Sequence, residues 1–233
     1  MMRILDVILG RRRLILTETQ RAVLLRKGKL SDILVAGEHW VPRRNGELQM
    51  HDLINPRFIS IYEDALIRTR PDLVERHLTV VETGADEVKV VNRNGRVYEL
   101  VAPDHRVVFW TDAGDWTVDT VSLTETHEVE TGLARRLARA GLTKALTAAE
   151  VAEGKVGILS VDGVVERVLE PGTYWFWTLG RKHLVKLVDT RWQTHEVVGQ
   201  ELLTADRVTI RVNLAADYKV ADPMVAVTAV KDF

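Results

Sequence analysis

The chain has 233 residues, a formal net charge of −1 and no cysteine. That length supplies one domain, or two or three small ones, with a core large enough to need no covalent staple, and the missing cysteines exclude a disulfide framework or a thiolate metal site. The near-neutral balance provides no global field for nucleic acid or for an acidic substrate.

The first residues, "MMRILDVILGRRRLIL", hold a short apolar run broken by Asp6 and lack a small-residue cleavage site, so they do not read as a secretory signal. No stretch of the chain reaches the roughly 18 apolar residues of a membrane span. Met2, Leu5, Ile8 and Leu9 fall on one helical face ahead of Arg11, Arg12 and Arg13. That suits either a weak membrane-surface contact or a terminal element packed on the body.

Three segments then follow one pattern: "RAVLLRKGKLSDILVAGEHWVP" from Arg21, "EVKVVNRNGRVYELVAPDHRVVFW" from Glu87 and "KVGILSVDGVVERVLEPGTYWFW" from Lys155. Each reads as an apolar strand, a turn closed by Gly28, Gly95 or Gly163, a second strand, a second turn and a third strand. The second turn carries Gly37 in the first copy, Pro103-Asp104 in the next and Pro171-Gly172 in the last. The three hairpin glycines lie 67 and 68 residues apart, a recurrence that chance rarely produces. Asn94-Gly95 and Asp162-Gly163 are favoured pairs for two-residue hairpins, whose central positions both need positive φ; Lys27-Gly28 occupies the same slot. Further strands, "LQMHDL" with Asp52, "WTVDTV" with Asp119 and "LVKLVDT" with Asp189, make each unit a meander of about four strands.

Helical segments join the units. "YEDALIRTRPDLVERHL", Tyr62 to Leu78, is helix-like but interrupted at Pro71. "EVETGLARRLARAGLTKAL", Glu128 to Leu146, places Leu133, Ala134, Leu137, Ala138 and Leu142 on one stripe. Its Arg135, Arg136 and Arg139 form a basic strip that suits phosphate or anionic lipid, or a solvated face. The run "YWFW", Tyr174 to Trp177, is apolar on both sides, as in a strand covered on both faces or one turned to a membrane interface or another subunit. Near the end, Val208 to Val220 alternates strictly, with Val208, Ile210, Val212, Leu214, Ala216, Tyr218 and Val220 on one side, so a half-buried strand of roughly 43 Å is expected. Asp222-Pro223 ends it, and "MVAVTAVKDF" reads as the first turns of a helix.

No catalytic signature occurs: the nucleophile elbow, the zinc motif H-E-x-x-H, the phosphate loop and the dinucleotide fingerprint are all absent. Ser31, Ser60, Ser122 and Ser160 have no histidine beside them. His127 in "TETHEVE" and His195 in "QTHEVV" each precede a glutamate, but with Glu125, Glu128 and Glu130 they read as alternating surface positions and lack metal-ligand spacing. "DAGD", Asp112 to Asp115, lacks the spacing of a calcium loop and reads as a turn. No catalytic, cofactor or metal residue is assigned.

From about Lys155 onward the chain resembles the SPFH, or band 7, superfamily, and within it the stomatin-like (slipin) branch. The likeness rests on "LEPGTYWFW" (Leu169–Trp177), "VDTRWQTHEV" (Val188–Val197) and "GQELLTADRVTIRVNLAADYKVADP" (Gly199–Pro223). It places the family's motif positions at Asp189, Arg191, Thr204, Asp206, Asp222 and Pro223. The fold class expected is α+β: tandem β-rich modules over residues 1–77 and 78–145 with helical connectors, then an SPFH domain over 146–233 that stops near its first helix. The resemblance implies a non-enzymatic scaffold without cofactors, a homo-oligomer in the full-length chain, assembled through this domain and a following coiled coil. It also implies a membrane surface or membrane protein as partner, a cytoplasmic place at the inner face of a membrane, and no nucleic acid. The family's usual hydrophobic anchor and its coiled coil are not visible in the chain. The alternative reading is a soluble adaptor whose tandem modules recognise a protein or ligand without ring assembly.

Overall fold

The computed structural model describes residues 10–229; the proposed face of Met2, Leu5, Ile8 and Leu9 lies outside them. Contacts group the chain into two units, residues 1–125 and 126–233. The first unit contains the first two of the three patterned segments, and the second contains the third together with the tail.

The same strand pairings occur three times. In the first segment β1 (Arg11–Leu16) pairs with β4 (Gly37–Pro42), while β2 (Gln20–Arg26) lies between β3 (Lys29–Leu34) and β5 (Gly46–Asp52). In the second, β6 (Leu78–Glu82) pairs with β9 (Arg106–Trp110), and β7 (Glu87–Arg93) lies between β8 (Arg96–Val101) and β10 (Trp116–Ser122). In the third, β11 (Leu146–Val151) pairs with β14 (Gly172–Trp177), and β12 (Lys155–Val161) lies between β13 (Val164–Leu169) and β15 (His183–Asp189). Each segment is thus a five-stranded antiparallel module, one strand more than the sequence pattern suggests. The additional strands β1, β6 and β11 precede each meander and close onto its third strand.

The hairpin turns explain the glycine spacing. Lys27 and Gly28 have φ of 49° and 72°, Asn94 and Gly95 of 52° and 73°, Asp162 and Gly163 of 51° and 85°. Two successive positive φ values match the twist of a tight hairpin, and glycine adopts the second at no steric cost. The aspartates of the closing strands are less regular: Asp52 and Asp189 face the first residues of β2 and β12, but Ser122 takes that register place in the second module, and Asp119 lies three residues earlier.

Each module has its own core. Leu16, Ala22, Leu24, Leu34 and Val41 form the first, Val81, Val91, Val101, Val107 and Phe109 the second, and Val151, Leu159, Val161, Leu169 and Phe176 the third. Strand side chains alternate between faces, so β2 sends Ala22 and Leu24 into its module and turns Val23 and Leu25 the other way. There they meet Leu66 of α1 (Glu63–Thr69), Leu73 of α2 (Pro71–His77), and Phe58, Leu78, Val108 and Trp110. Pro71 is the first residue of α2 and needs no intrahelical partner for its missing N–H. Its interruption therefore yields two short helices instead of one. The Arg21 side chain, almost fully buried, ties the two modules of this unit: it donates to Asp112 at 2.9 Å and to the carbonyls of Glu18 and Gln20. "DAGD" accordingly forms the short turn after β9.

The segment leaving one module is clipped onto the next. After the first, Phe58 N–H donates to the Val108 carbonyl, and Trp110 N–H to the Pro56 carbonyl, both on β9. In the second unit, Val129 N–H donates to the Trp175 carbonyl, and Trp177 N–H to His127, both on β14. Phe58 and Val129 are buried. By register Trp110, Trp177 and Pro42 are equivalent positions, opposite Leu78, Leu146 and Arg11. Proline has no N–H, so the same edge of β4 lacks the donor that the other two modules use.

The helix expected over 128–146 is confined to α3 (Thr131–Arg139), capped by Glu130, whose carboxylate accepts from the Gly132 and Leu133 N–H groups. Ala134 and Leu137 are buried, whereas Ala138 is exposed, so the buried stripe is narrower than the sequence suggests. Arg135, Arg136 and Arg139 lie on the exposed side. Phe176 and Trp177 of "YWFW" are fully buried and Tyr174 and Trp175 half-buried, as in a core strand.

Candidate interaction surface

The tail forms a long hairpin, β16 (Gln193–Leu203) with β17 (Thr209–Tyr218). Its turn is built by the Thr204-x-Asp206 sequence. Thr204 N–H donates to the Val208 carbonyl at 2.9 Å, the Thr204 hydroxyl accepts from Val208 N–H at 3.1 Å, and the same hydroxyl donates to the Asp206 carboxylate. That hydrogen bond holds the Asp206 carboxyl below its ordinary pKa. Arg207 takes the positive φ of 66° that the reversal requires.

The other motif positions are also local fasteners. Asp189 accepts from the Arg191 N–H and guanidinium at the end of β15, and the guanidinium holds its carboxyl far below the usual carboxylate range. Asp222 caps α4 (Pro223–Ala229) by accepting from the Met224 and Val225 N–H groups, and Pro223 is that helix's first residue. Pro171-Gly172 forms the turn from β13 into β14. Gly28, Gly95 and Gly163 lie at the hairpin turns. The sequence-derived positions are therefore dispersed along the chain, each shaping backbone locally, and they do not converge on a cleft.

The strand expected to be half-buried is shorter and open on both faces. β17 spans Thr209–Tyr218, and of its residues only Val212 is less than exposed. Register gathers Ile210, Val212, Leu214, Ala216 and Tyr218 with Leu202, Gln200, Val197, His195 and Gln193 on one side of the pair. A bulge at Val198-Gly199 keeps this set in phase: Gly199 has φ 68° and donates its N–H to Asn213 Oδ1 at 2.9 Å. Leu214 is 60% exposed, Leu202 52% and Ile210 42%. An isolated two-stranded hairpin is marginal in water, and a contiguous apolar face marks an interaction site. The opposite face is mainly polar apart from Leu203 and Ala215, with the Thr194 hydroxyl donating to Asp217 at 2.6 Å. Trp192 is 69% exposed and lies under Lys219.

The histidines do not assemble a metal centre; among the described residues no group of three or more His, Asp or Glu could hold an ion. His195 is exposed on the hairpin. His127 stacks on His183 at 5.1 Å and approaches Glu166 at 3.4 Å, while His183 stacks on Phe176 at 5.0 Å. Neither ring nitrogen of His183 has a partner, and burial, then the neighbouring His127, lowers its pKa. This cluster was not legible in the sequence, because 56 residues separate its two histidines.

Comparison with known proteins places this surface in a family context. Residues 149–233 match the SPFH domain / Band 7 family. An uncharacterized protein of Archaeoglobus fulgidus is 35% identical over 83 residues, which are 36% of this chain and 32% of that protein. The chain thus spans about a third of the length of the curated relative it matches. No solved structure matches. Among the described residues no helix is long and apolar enough to cross a membrane.

Proposed function

We propose that the chain is a non-enzymatic scaffold of the stomatin, prohibitin and flotillin type, closest to the stomatin-like (slipin) branch. It self-associates through its SPFH region and organises a membrane patch or restrains partner proteins at the cytoplasmic face. The observation that carries this reading is the uncovered apolar face of the β16–β17 hairpin, which lies wholly within the family-matched residues. A second copy presenting the same face would bury Leu202, Ile210 and Leu214 and supply what an isolated hairpin lacks. The scattered, locally committed polar residues support a role without chemistry.

The test is size-exclusion chromatography with light scattering on the chain and on L202D/L214D. The parent is expected to form oligomers and the variant to run as a folded monomer. A parent that stays monomeric at high concentration overturns the scaffold and favours the soluble adaptor.

A further inference from the structure

The end of the first module where three chain passages meet carries an unusual charge. Arg43 N–H donates to the Gly10 carbonyl at 2.7 Å, joining the β4–β5 turn to the start of β1. Lys27 N–H donates to the Asn45 carbonyl at 2.9 Å, joining the β2–β3 turn to that same β4–β5 turn. These passages bring together Arg11 and Arg12, Arg26, Lys27 and Lys29, and Arg43 and Arg44. All seven are exposed, and none takes part in an ion pair among the described residues. No carboxylate interrupts the three passages, the nearest along the chain being Glu47 after Gly46.

The module fold does not require this charge. At the equivalent places the second module carries Arg93 and Arg96 against Asp112 and Asp115, and the third carries Arg181 and Lys182 against Asp162. The whole chain is at −1, so the remainder is net acidic and this end stands apart in sign. Unpaired cations on rigid turns bear a self-repulsion that a dense anionic surface removes.

We infer that this end of the first module docks onto an anionic phospholipid bilayer. Lipid is favoured over nucleic acid because the sequence immediately ahead of Gly10, "MMRILDVIL", is rich in large apolar residues, and apolar residues beside a basic cluster suit a membrane interface. The inference rests on the scaffold reading for its membrane, and adds to it which surface meets the lipid and by which charge.

The test is flotation of the full chain with vesicles of phosphatidylcholine alone or mixed with phosphatidylserine, beside the variant K27N/K29Q/R43Q/R44Q. Asparagine is used at Lys27 because Asn94 already occupies that turn position in the second module. Each exposed cation near an anionic leaflet changes partitioning by about fivefold. The parent is therefore expected to float only with phosphatidylserine, and the variant to lose at least about tenfold in binding. Binding should also collapse toward 1 M salt, where the Debye length is about 3 Å. R11Q/R12Q, on a different passage, gives an independent second variant, with circular dichroism and thermal midpoint as folding controls.

A parent that does not float with phosphatidylserine at low salt overturns the inference. So does a pair of folded variants that float as the parent does, or a parent retained by duplex DNA but not by vesicles. Light scattering on the same samples separates this outcome from the scaffold reading: a floating monomer defeats only self-association, and an oligomer that fails to float defeats only the docking.

Discussion

At the scale of one side chain, His183 is expected to link the stability of the second unit to mild acid. Its ring packs against those of Phe176 and His127, which also contact each other, its nitrogens have no partner, and Asp162, Glu166 and Arg181 are the other charges around it. Burial lowers its pKa from 6.5, so the folded state binds fewer protons than the unfolded state near that pH. Stability is then fully present above pH 6.5 and is lost as the pH falls through the depressed value. Thermal midpoints measured from neutral to mildly acidic pH are expected to drop, and H183F to flatten the decline. An unchanged slope in that variant would discard His183 as the cause. Some slope persists in any case, because burial also lowers the pKa of His51 and His77.

Glycine substitutions separate backbone strain from crowding at the same scale. At Gly163 a Cβ would meet open space, so G163A should cost only the positive-φ penalty of about 1–2 kcal/mol. At Gly157 φ is ordinary, but a Cβ would lie 2.8 Å from Val185 and 3.0 Å from Val151, so G157A is an overpacking change of about 1–3 kcal/mol. Urea denaturation of both variants checks the pair. Equal midpoints combined with a changed slope would show that the denatured state had responded instead.

Among the elements, the clipped segments do more than connect. Phe58 fills the core between β2, the two short helices and β9, while Val129 meets β14 with a smaller side chain. F58A is therefore expected to cost about 3–5 kcal/mol, and V129A clearly less. If both variants unfold at the parent's denaturant midpoint, the segments are tethers and not parts of the cores. These irregular stretches were not legible as structure: "NPRF" and "THEV" share no periodicity, and their role appears only where two hydrogen bonds attach each to the next module. β16 was hidden for a related reason. The bulge at Val198-Gly199 breaks its alternation in sequence, so only its partner β17 was visible as a strand. The turns at Asn94-Gly95 and Asp162-Gly163 were readable because positive φ leaves a direct mark on residue choice.

For the whole molecule, the same strand pairings recur along the chain, while contacts gather it into two units. Units defined by contact join the first two modules, because β2 is apolar on both faces and its outward Val23 and Leu25 share a core with Leu78 and Trp110. Nothing in a single strand's alternation announces such a shared core. The apolar side of β17 was equally plain in sequence, but whether it is covered depends on partners that one chain does not contain. That is why self-association must be measured on the protein at several concentrations.

Pro42 gives this chain a polarity. Where Trp110 and Trp177 each offer an amide to the segment arriving from upstream, the first module offers a ring. A further module grafted ahead of β1 by the same splice could make only the bond to the Trp40 carbonyl and would hang loosely. Replacing Pro42 with tryptophan would restore the missing latch.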